Sequence, residues 1–110
     1  MAKSKAQVSP KPQDAALTRK RVYHERRNET GLNRPQWGRL FQLGDSKNAS
    51  QLVYRKECEA SEGKSHPLKV NKAEALAAEL LTLLHRKGFD LNSIEFDDEG
   101  TITGIAKLRP

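Results

Sequence analysis

The sequence predicts a mainly α-helical protein, a compact four-helix bundle followed by a C-terminal β-hairpin. Apolar residues recur at helical spacing in four segments between residues 15 and 87, and each segment has a capping residue, a proline or a glycine at a boundary. Residues 93–108 instead alternate apolar and polar side chains around a glycine-containing turn. The composition, with 35% hydrophobic and 31% charged residues in 110, suits one small helical domain with polar ends. These observations divide the chain into an N-terminal arm (1–13), a helical domain (14–90) and a hairpin (91–110).

The first helix is expected from Ala15 to Asn28, with Asp14 as its N-cap. The preceding arm holds three lysines and two prolines but no periodic apolar residue, which predicts a disordered basic segment. The side chains expected to face inward are Leu17 or Thr18, Val22 and Tyr23. The remaining surface is strongly basic and carries Arg19, Lys20, Arg21, Arg26 and Arg27. These cations suit contact with phosphate groups and equally suit a solvated helix face, and the sequence leaves both interpretations open.

A second helix is predicted to begin after Asn33, which can cap it while Gln36 completes a capping box. Pro35 lies in the first turn, where its missing N–H leaves no hydrogen bond unmade. The apolar stripe of this helix consists of Trp37, Leu40 and Phe41, with Leu32 as a hydrophobic staple before it. Gly44 allows the left-handed backbone that ends such a helix.

The third helix begins almost at once, with Asp45 or Ser46 as its cap, and forms a helix–turn–helix pair with the second. Its inward stripe is predicted to be Ala49, Leu52 and Val53. The opposite face is polar and carries Lys47, Ser50, Gln51 and Tyr54, with Asn48 and Arg55 on its flank. A short helix with a polar, basic and amide-bearing outer face is typical of a recognition helix that enters the major groove of DNA.

The segment that begins Gly31-Leu32-Asn33-Arg34 continues through a helix ending Trp37-Gly38-Arg39-Leu40-Phe41, a turn, a polar helix and a longer apolar helix. Over residues 17–86 this pattern resembles the lambda-repressor-like, or XRE-type, helix-turn-helix family. Two departures from the family are Arg34, where Gln is usual, and a turn that is longer by about one residue. The resemblance implies a sequence-specific double-stranded DNA-binding protein, most simply a small transcriptional repressor, that places the helix of residues 46–56 in the major groove.

The resemblance also implies a set of DNA-contacting side chains. Gln51 and Asn48 carry amides suited to adenine, and Lys47 and Arg55 suit guanine or phosphate. Arg34, at the start of the second helix, suits phosphate. The complete candidate site consists of Arg34, Gln36, Ser46, Lys47, Asn48, Ser50, Gln51, Tyr54 and Arg55.

Positive charge is concentrated in the half of the chain that holds this motif. Residues 1–56 contain 13 Lys/Arg and 4 Asp/Glu, whereas residues 57–110 contain 7 and 10, so the net charge of +6 divides into +9 and −3. A polyanion facing the first half would release counterions on contact. The distribution therefore favours a nucleic-acid partner over a basic surface without a partner.

The last helix is predicted to follow an acidic loop, Glu57–Val70, and to be the most strongly marked helix of the chain. Asn71 caps it, with Glu74 completing a capping box, and Gly88 ends it. Its broad inward stripe is expected to be Leu76, Ala77, Leu80, Leu83 and Leu84.

Two alternating segments around Asp97-Asp98-Glu99-Gly100 predict the C-terminal β-hairpin. Ile105 breaks the alternation, so a bulge is expected at Gly104. An isolated hairpin is only marginally stable in water, so this one must pack on the helices as a lid or pair with a second copy. We expect it to mediate a homodimer, because a single recognition helix reads only one half-site.

Other classes of function have weaker support in the sequence. No enzyme motif and no metal-ligand spacing occurs, so neither a catalytic residue nor a cofactor is expected. Without an apolar run long enough to span a bilayer, and without a secretory signal, the expectation is a cytoplasmic protein with no membrane partner. RNA binding lacks an aromatic stacking platform. The main alternative is a protein-interaction module, such as an antitoxin-like or accessory subunit.

Overall fold

A computed structural model describes residues 12–59 and 66–108, with side chains from Ala15 onward. The helices are α1 (Pro12–Thr30), α2 (Arg34–Leu40), α3 (Ser46–Glu57) and α4 (Lys72–Arg86), and strands β1 (Phe89–Phe96) and β2 (Ile102–Lys107) form an antiparallel hairpin. The predicted fold class, four helices with a C-terminal hairpin, is therefore confirmed.

Helix α1 is longer than predicted at both ends. It begins at Pro12, which the first turn of a helix tolerates, so Asp14 lies inside the helix and is not its N-cap. The side chain of Asp14 and the predicted arm before Pro12 lie outside the described residues. At the other end the helix continues to Thr30, and Gly31, with a φ of 76°, provides the left-handed residue that ends it.

The core is centred on an aromatic cluster where α1 meets α2. Tyr23 and Trp37 are fully buried, with their ring centroids 5.8 Å apart and their planes at 80°. The ring of Phe41 lies 5.3 Å from Tyr23 and 5.2 Å from Trp37. Such tilted and edge-on contacts are the arrangements that aromatic rings prefer. The inward positions predicted for Tyr23 and Trp37 are confirmed, whereas Thr18 is exposed.

The predicted helix starts are confirmed by their hydrogen bonds. In α2 the Asn33 N–H donates to Gln36 Oε1 and the Gln36 N–H donates to Asn33 Oδ1, both at 2.9 Å. Asn71 and Glu74 form the same reciprocal pair at the start of α4. Of the two caps left open for α3, Asp45 is the one used. Local side-chain-to-backbone bonds therefore set where these three helices begin.

The turn between α2 and α3 contains two residues with positive φ, Gln42 at 56° and Gly44 at 100°. Helix α2 itself ends at Leu40, so Gly44 shapes the turn rather than the helix end. The two helices pack very closely where Gly38 meets Ala49, because a Cβ on Gly38 would lie only 2.6 Å from the Cβ of Ala49. The missing side chain at Gly38 is thus what lets α2 and α3 come together.

Helix α4 presents a different face to the bundle from the one predicted. The side chains of Leu76, Leu80 and Leu83, expected inside, are 60%, 51% and 48% exposed. The fully buried positions are instead Ala78 and Thr82. The prediction of a leucine stripe facing inward is therefore wrong for these three residues.

Three ion pairs join α4 to α1 and α3 in this orientation: Glu79 to Arg26 at 2.5 Å, Arg86 to Glu29 at 2.6 Å and Glu74 to Lys56 at 2.6 Å. The small side chains of Ala78 and Thr82 lie against the bundle, where helices can approach closely. The remaining residues of the predicted stripe, Ala77 and Leu84, are half-buried.

The hairpin packs on the helices and has an irregular register. Leu91 and Ile94 of β1 are buried in the core, and Arg39 Nη2 of α2 donates to the Ile94 carbonyl at 2.7 Å. The register shifts twice along the pairs Asp90↔Ala106, Glu95↔Gly104 and Phe96↔Ile102. The irregularity predicted at Gly104 is thus confirmed. Within the described residues, β2 has a neighbouring strand on one side only.

Candidate nucleic-acid interface

The candidate interface lies on the outer side of α3, next to the turn at residues 41–45. The apolar side of this helix faces the core through Ala49 and Val53. Lys47 and Gln51 are exposed on the opposite side, one helical turn apart. Ser46 is also exposed, and Ser50 is half-buried between them. The helix therefore has the two-sided character that the sequence predicts.

Lys47 and Gln51 are the side chains of this face most available to a ligand. In the part of the chain that the structure describes, neither forms a hydrogen bond or an ion pair. Lys47 offers an ammonium with three N–H donors, and Gln51 offers an amide that donates and accepts. Together they present both charge and hydrogen-bonding groups to whatever α3 faces.

Two other amides of the predicted site form hydrogen bonds inside the protein. Asn48 Nδ2 donates to the Leu43 carbonyl at 2.9 Å, and its backbone N–H donates to the Asp45 carboxylate at 2.9 Å. Gln36 Oε1 accepts the Asn33 N–H in the capping box. The structure thus places Asn48 as a brace of the turn and leaves Gln51 as the amide of α3 without a partner among the described residues.

Arg34 and Tyr54 form a stacked pair at the edge of the outer face. The guanidinium carbon of Arg34 lies 5.1 Å from the centre of the Tyr54 ring. Arg34 Nε donates to Glu57 Oε1 at 2.9 Å. Because a guanidinium has five N–H donors, this bond leaves others for an anion. The pair holds a cation in a defined position beside α3.

Glu57 is a buried anion at which α1, α2 and α3 meet, and it lies in the last turn of α3 and not in the loop predicted from the sequence. Its side chain is 4% exposed and pairs with Arg27 and Arg34, while His24 Nδ1 lies 3.0 Å from Glu57 Oε2. Burial by itself would raise the pKa of Glu57, but hydrogen bonds from Arg27, His24 and Arg34 outweigh it and lower the pKa below the ordinary value of 4.5. One signal in the sequence could have indicated this role. Glu57 is a carboxylate at the C-terminus of a helix, where the helix dipole disfavours negative charge unless cations surround it.

Cationic side chains hold the segment of residues 66–70 against the helices by its carbonyl oxygens. Arg55 Nε donates to His66 at 2.9 Å, Arg19 Nε to Val70 at 2.9 Å and Lys20 Nζ to Leu68 at 2.5 Å. Lys20 is only 8% exposed, and burial lowers the pKa of its ammonium. Arg55, predicted to contact DNA, is therefore anchored at one end by the protein itself.

The remaining cations of α1 form ion pairs within the chain. Arg21 pairs with Glu59 at 3.0 Å, Arg26 with Glu79 at 2.5 Å and Arg27 with Glu57 at 2.5 Å. With Arg19 and Lys20 bonded to carbonyls, all five basic residues of α1 have partners inside the protein. The arginines keep further N–H donors beyond these bonds, so phosphate contact and a solvated face both stay open for α1.

Among residues 12–59 and 66–108, no group of three or more His, Cys, Asp or Glu side chains could hold a metal ion. None of the described helices is both long enough and apolar enough to cross a membrane. Cys58, at the C-terminus of α3, is a free thiol.

The fold is a four-helix bundle in which α2 and α3 form a closely packed helix–turn–helix pair and the hairpin packs on the helices. No family model matches the chain, no curated protein matches it, and no solved structure matches its fold. The likeness to the XRE-type family therefore stays a prediction from the sequence.

Proposed function

We propose that the protein is a sequence-specific double-stranded DNA-binding regulator, most simply a cytoplasmic transcriptional repressor, that inserts α3 into the major groove. The observation that carries the proposal is the pair of exposed side chains Lys47 and Gln51 on the outer face of α3. Contact between Gly38 and Ala49 holds this helix firmly against α2. A recognition helix so held presents its outer face without rearrangement, which limits the entropy lost on binding.

The side chains around α3 suit two kinds of DNA contact. Gln51 can both donate to and accept from the major-groove edge of adenine, and Lys47 can donate to guanine. Arg34 and Arg55 flank them, each held through its Nε, so that other N–H groups can contact phosphates. Base contacts would give specificity, and the phosphate contacts would fix the position of α3 on the duplex.

A homodimer is part of the proposal. One α3 reads a single half-site, so two copies presenting their helices about one helical turn apart, ~34 Å, would gain both affinity and specificity. The alternative function, a module that grips a partner protein, is favoured by one separate observation, the exposed leucines of α4.

Selection from a random duplex library tests the proposal. We expect an enriched sequence that the protein binds at least about a thousandfold more tightly than random duplex. Gln51→Ala should weaken binding to that sequence by about 1–3 kcal/mol and leave binding to random duplex nearly unchanged. Gel shifts at one salt concentration measure both affinities.

Asn92→Ala provides the matched control, because it removes an exposed amide from β1, outside the helix–turn–helix pair. It should leave both affinities unchanged. Failure to enrich any sequence, or an equal loss of specific and random binding in Gln51→Ala, would contradict the proposed function.

A further inference from the structure

An apolar surface covers the outer side of α4 and the start of β2. We define the α4 face as Leu76, Leu80, Leu83 and Ile102, whose exposed fractions are 60%, 51%, 48% and 53%. Exposed lysines, Lys72 and Lys87, lie at the two ends of α4, and three further charged side chains of the helix are bound elsewhere. Glu74, Glu79 and Arg86 are held in ion pairs with α3 and α1. Two turns of helix are thus apolar and open to solvent.

A groove of about 560 Å³ runs beside the α4 face. Leu80, Leu83 and Leu84 line it on the helix side, and Phe96 and Ile102 line it on the hairpin side. Ile94 also lines this groove. The surface therefore combines a ridge of leucines with an adjacent, mostly apolar groove. Contiguous apolar patches of this kind on a small protein mark interaction sites.

The residues of this sequence outside the described ranges contain few apolar side chains. Residues 1–11, 60–65 and 109–110 include only two large aliphatic side chains, Met1 and Val8. An apolar groove of this size needs several such side chains to fill it. A second copy carries them in the exposed leucines of its own α4 face.

The charges at the rim fit a second copy of the same chain. Gly100 lines the groove, and the acidic residues before it in the hairpin turn, Asp97, Asp98 and Glu99, are exposed. Exposed lysines lie at both ends of α4, and one of them, Lys87, lines the groove itself, whereas Lys72 lies at the other end of the helix. A second copy that brings its Lys72 toward the acidic turn pairs unlike charges at the rim.

We infer that the α4 face is the interface of a homodimer, in which the leucine ridge of each copy lies in the groove of the other across a two-fold axis. Because ridge and groove occur on the same surface, a two-fold arrangement fills both grooves at once. The inference rests on the proposed function, since it names the surface through which two DNA-binding copies associate. It replaces the hairpin edge with α4 as the main contact.

Sedimentation equilibrium of the full chain over a range of concentrations tests the interface. We expect a dimer at micromolar concentration. Leu80→Glu should raise the dimer dissociation constant at least about a hundredfold, because it places a charge in an apolar contact. Leu76→Glu provides a second variant with the same expectation. Because Leu76 and Leu80 are both exposed in the monomer, both variants should fold, and circular dichroism should show that each has the helical content of the native protein.

Leu108→Glu is the matched control, because Leu108 is 66% exposed but does not line the groove. It should change the dissociation constant less than about threefold. A full chain that stays monomeric at about 100 μM would overturn the inference and would assign the α4 face to a different protein. Equal effects of Leu80→Glu and Leu108→Glu would overturn it as well.

Crosslinking gives a positive test. In a Cys58→Ser background, Leu80→Cys should crosslink to itself with a short bismaleimide, whereas Leu108→Cys should not. A crosslink at Leu108 and none at Leu80 would contradict the proposed contact. A dimer that fails to bind DNA would refute the DNA-binding function and leave this interface standing. A monomer that binds a specific duplex would refute the interface and the homodimer and leave the DNA-binding function standing.

Discussion

Helices α3 and α4 are both amphipathic, but they differ in how much of their apolar surface the bundle buries. Helix α3 has a narrow apolar side, whose Ala49 and Val53 are buried. Helix α4 is apolar over much of its circumference, and the bundle buries the side of Ala78 and Thr82 and leaves three leucines exposed. A narrow apolar stripe by itself determines which side of a helix faces the core. A helix with more apolar residues than the core can bury keeps a second apolar face for another contact.

The largest loss of stability is expected in the aromatic cluster where α1 meets α2. Trp37→Ala should lower the free energy of unfolding by about 3–5 kcal/mol, because it empties the centre of the aromatic cluster. Urea denaturation followed by circular dichroism measures the loss. A variant that keeps its stability and only binds DNA less well would show that Trp37 acts at the DNA surface instead.

Removing the buried anion at the end of α3 should have the next largest effect. Glu57→Gln leaves Arg27 and Arg34 without a charged partner, with an expected cost of about 3 kcal/mol at pH 7. Because the pKa of Glu57 is lowered in the folded protein, its contribution is present above the ordinary value of 4.5 and is lost as the pH falls below it. The variant should therefore lose less stability than the native protein between pH 7 and pH 3.

Urea midpoints at several pH values measure this difference. Glu25→Gln is the control, because Glu25 is an exposed carboxylate on α1. The acid sensitivity that remains in Glu57→Gln should come in part from Glu29 and Glu59, whose pKa values are lowered by hydrogen bonds from Arg86 and Arg21. Identical pH dependence in Glu57→Gln and the native protein would contradict the role assigned to Glu57.

The rotation of α4 is tested by enlarging a small side chain. Ala78→Leu should cost about 1–3 kcal/mol by overpacking the fully buried side of the helix. Ala73→Leu, at an exposed position of the same helix, should change stability by less than about 0.5 kcal/mol. Thermal unfolding of both variants compares the two sides directly. A larger loss of stability in Ala73→Leu than in Ala78→Leu would show that α4 has the rotation predicted from its leucines.

The smallest effect is expected on the outer side of α4. Leu76→Ala should change the stability of the monomer by less than about 0.5 kcal/mol, whereas a leucine in the core would cost about 2–5 kcal/mol. The measurement requires protein dilute enough to be monomeric, so that loss of a dimer contact does not contribute. A loss of several kcal/mol under those conditions would show that Leu76 is buried in solution.

Features set by neighbouring residues were predictable from the sequence. The capping pairs Asn33–Gln36 and Asn71–Glu74 act over three residues, and each correctly marks a helix start. The irregularity at Gly104 also follows from a local break in alternation. Such signals depend on hydrogen bonds that the chain makes with itself over a few positions.

Features set by distant residues were not predictable. The arginine partners of Glu57 lie 23 and 30 residues away along the chain, and the side chains that pair with α4 lie on other helices. No periodicity shows which carboxylate will meet which cation. The same limit applies to the candidate site. Asn48 bonds to the Leu43 carbonyl because of the backbone path of the turn, which includes a positive φ at Gln42.

Because α1 packs against α4, the core is completed late while the chain is being synthesised. The ion pairs Arg26–Glu79 and Glu29–Arg86 join residues 53 and 57 positions apart. A nascent chain that has not yet released residues 72–86 from the ribosome therefore leaves one side of α1 without its partner. During that interval this side of α1 is accessible to chaperones and proteases, until α4 emerges and packs against it.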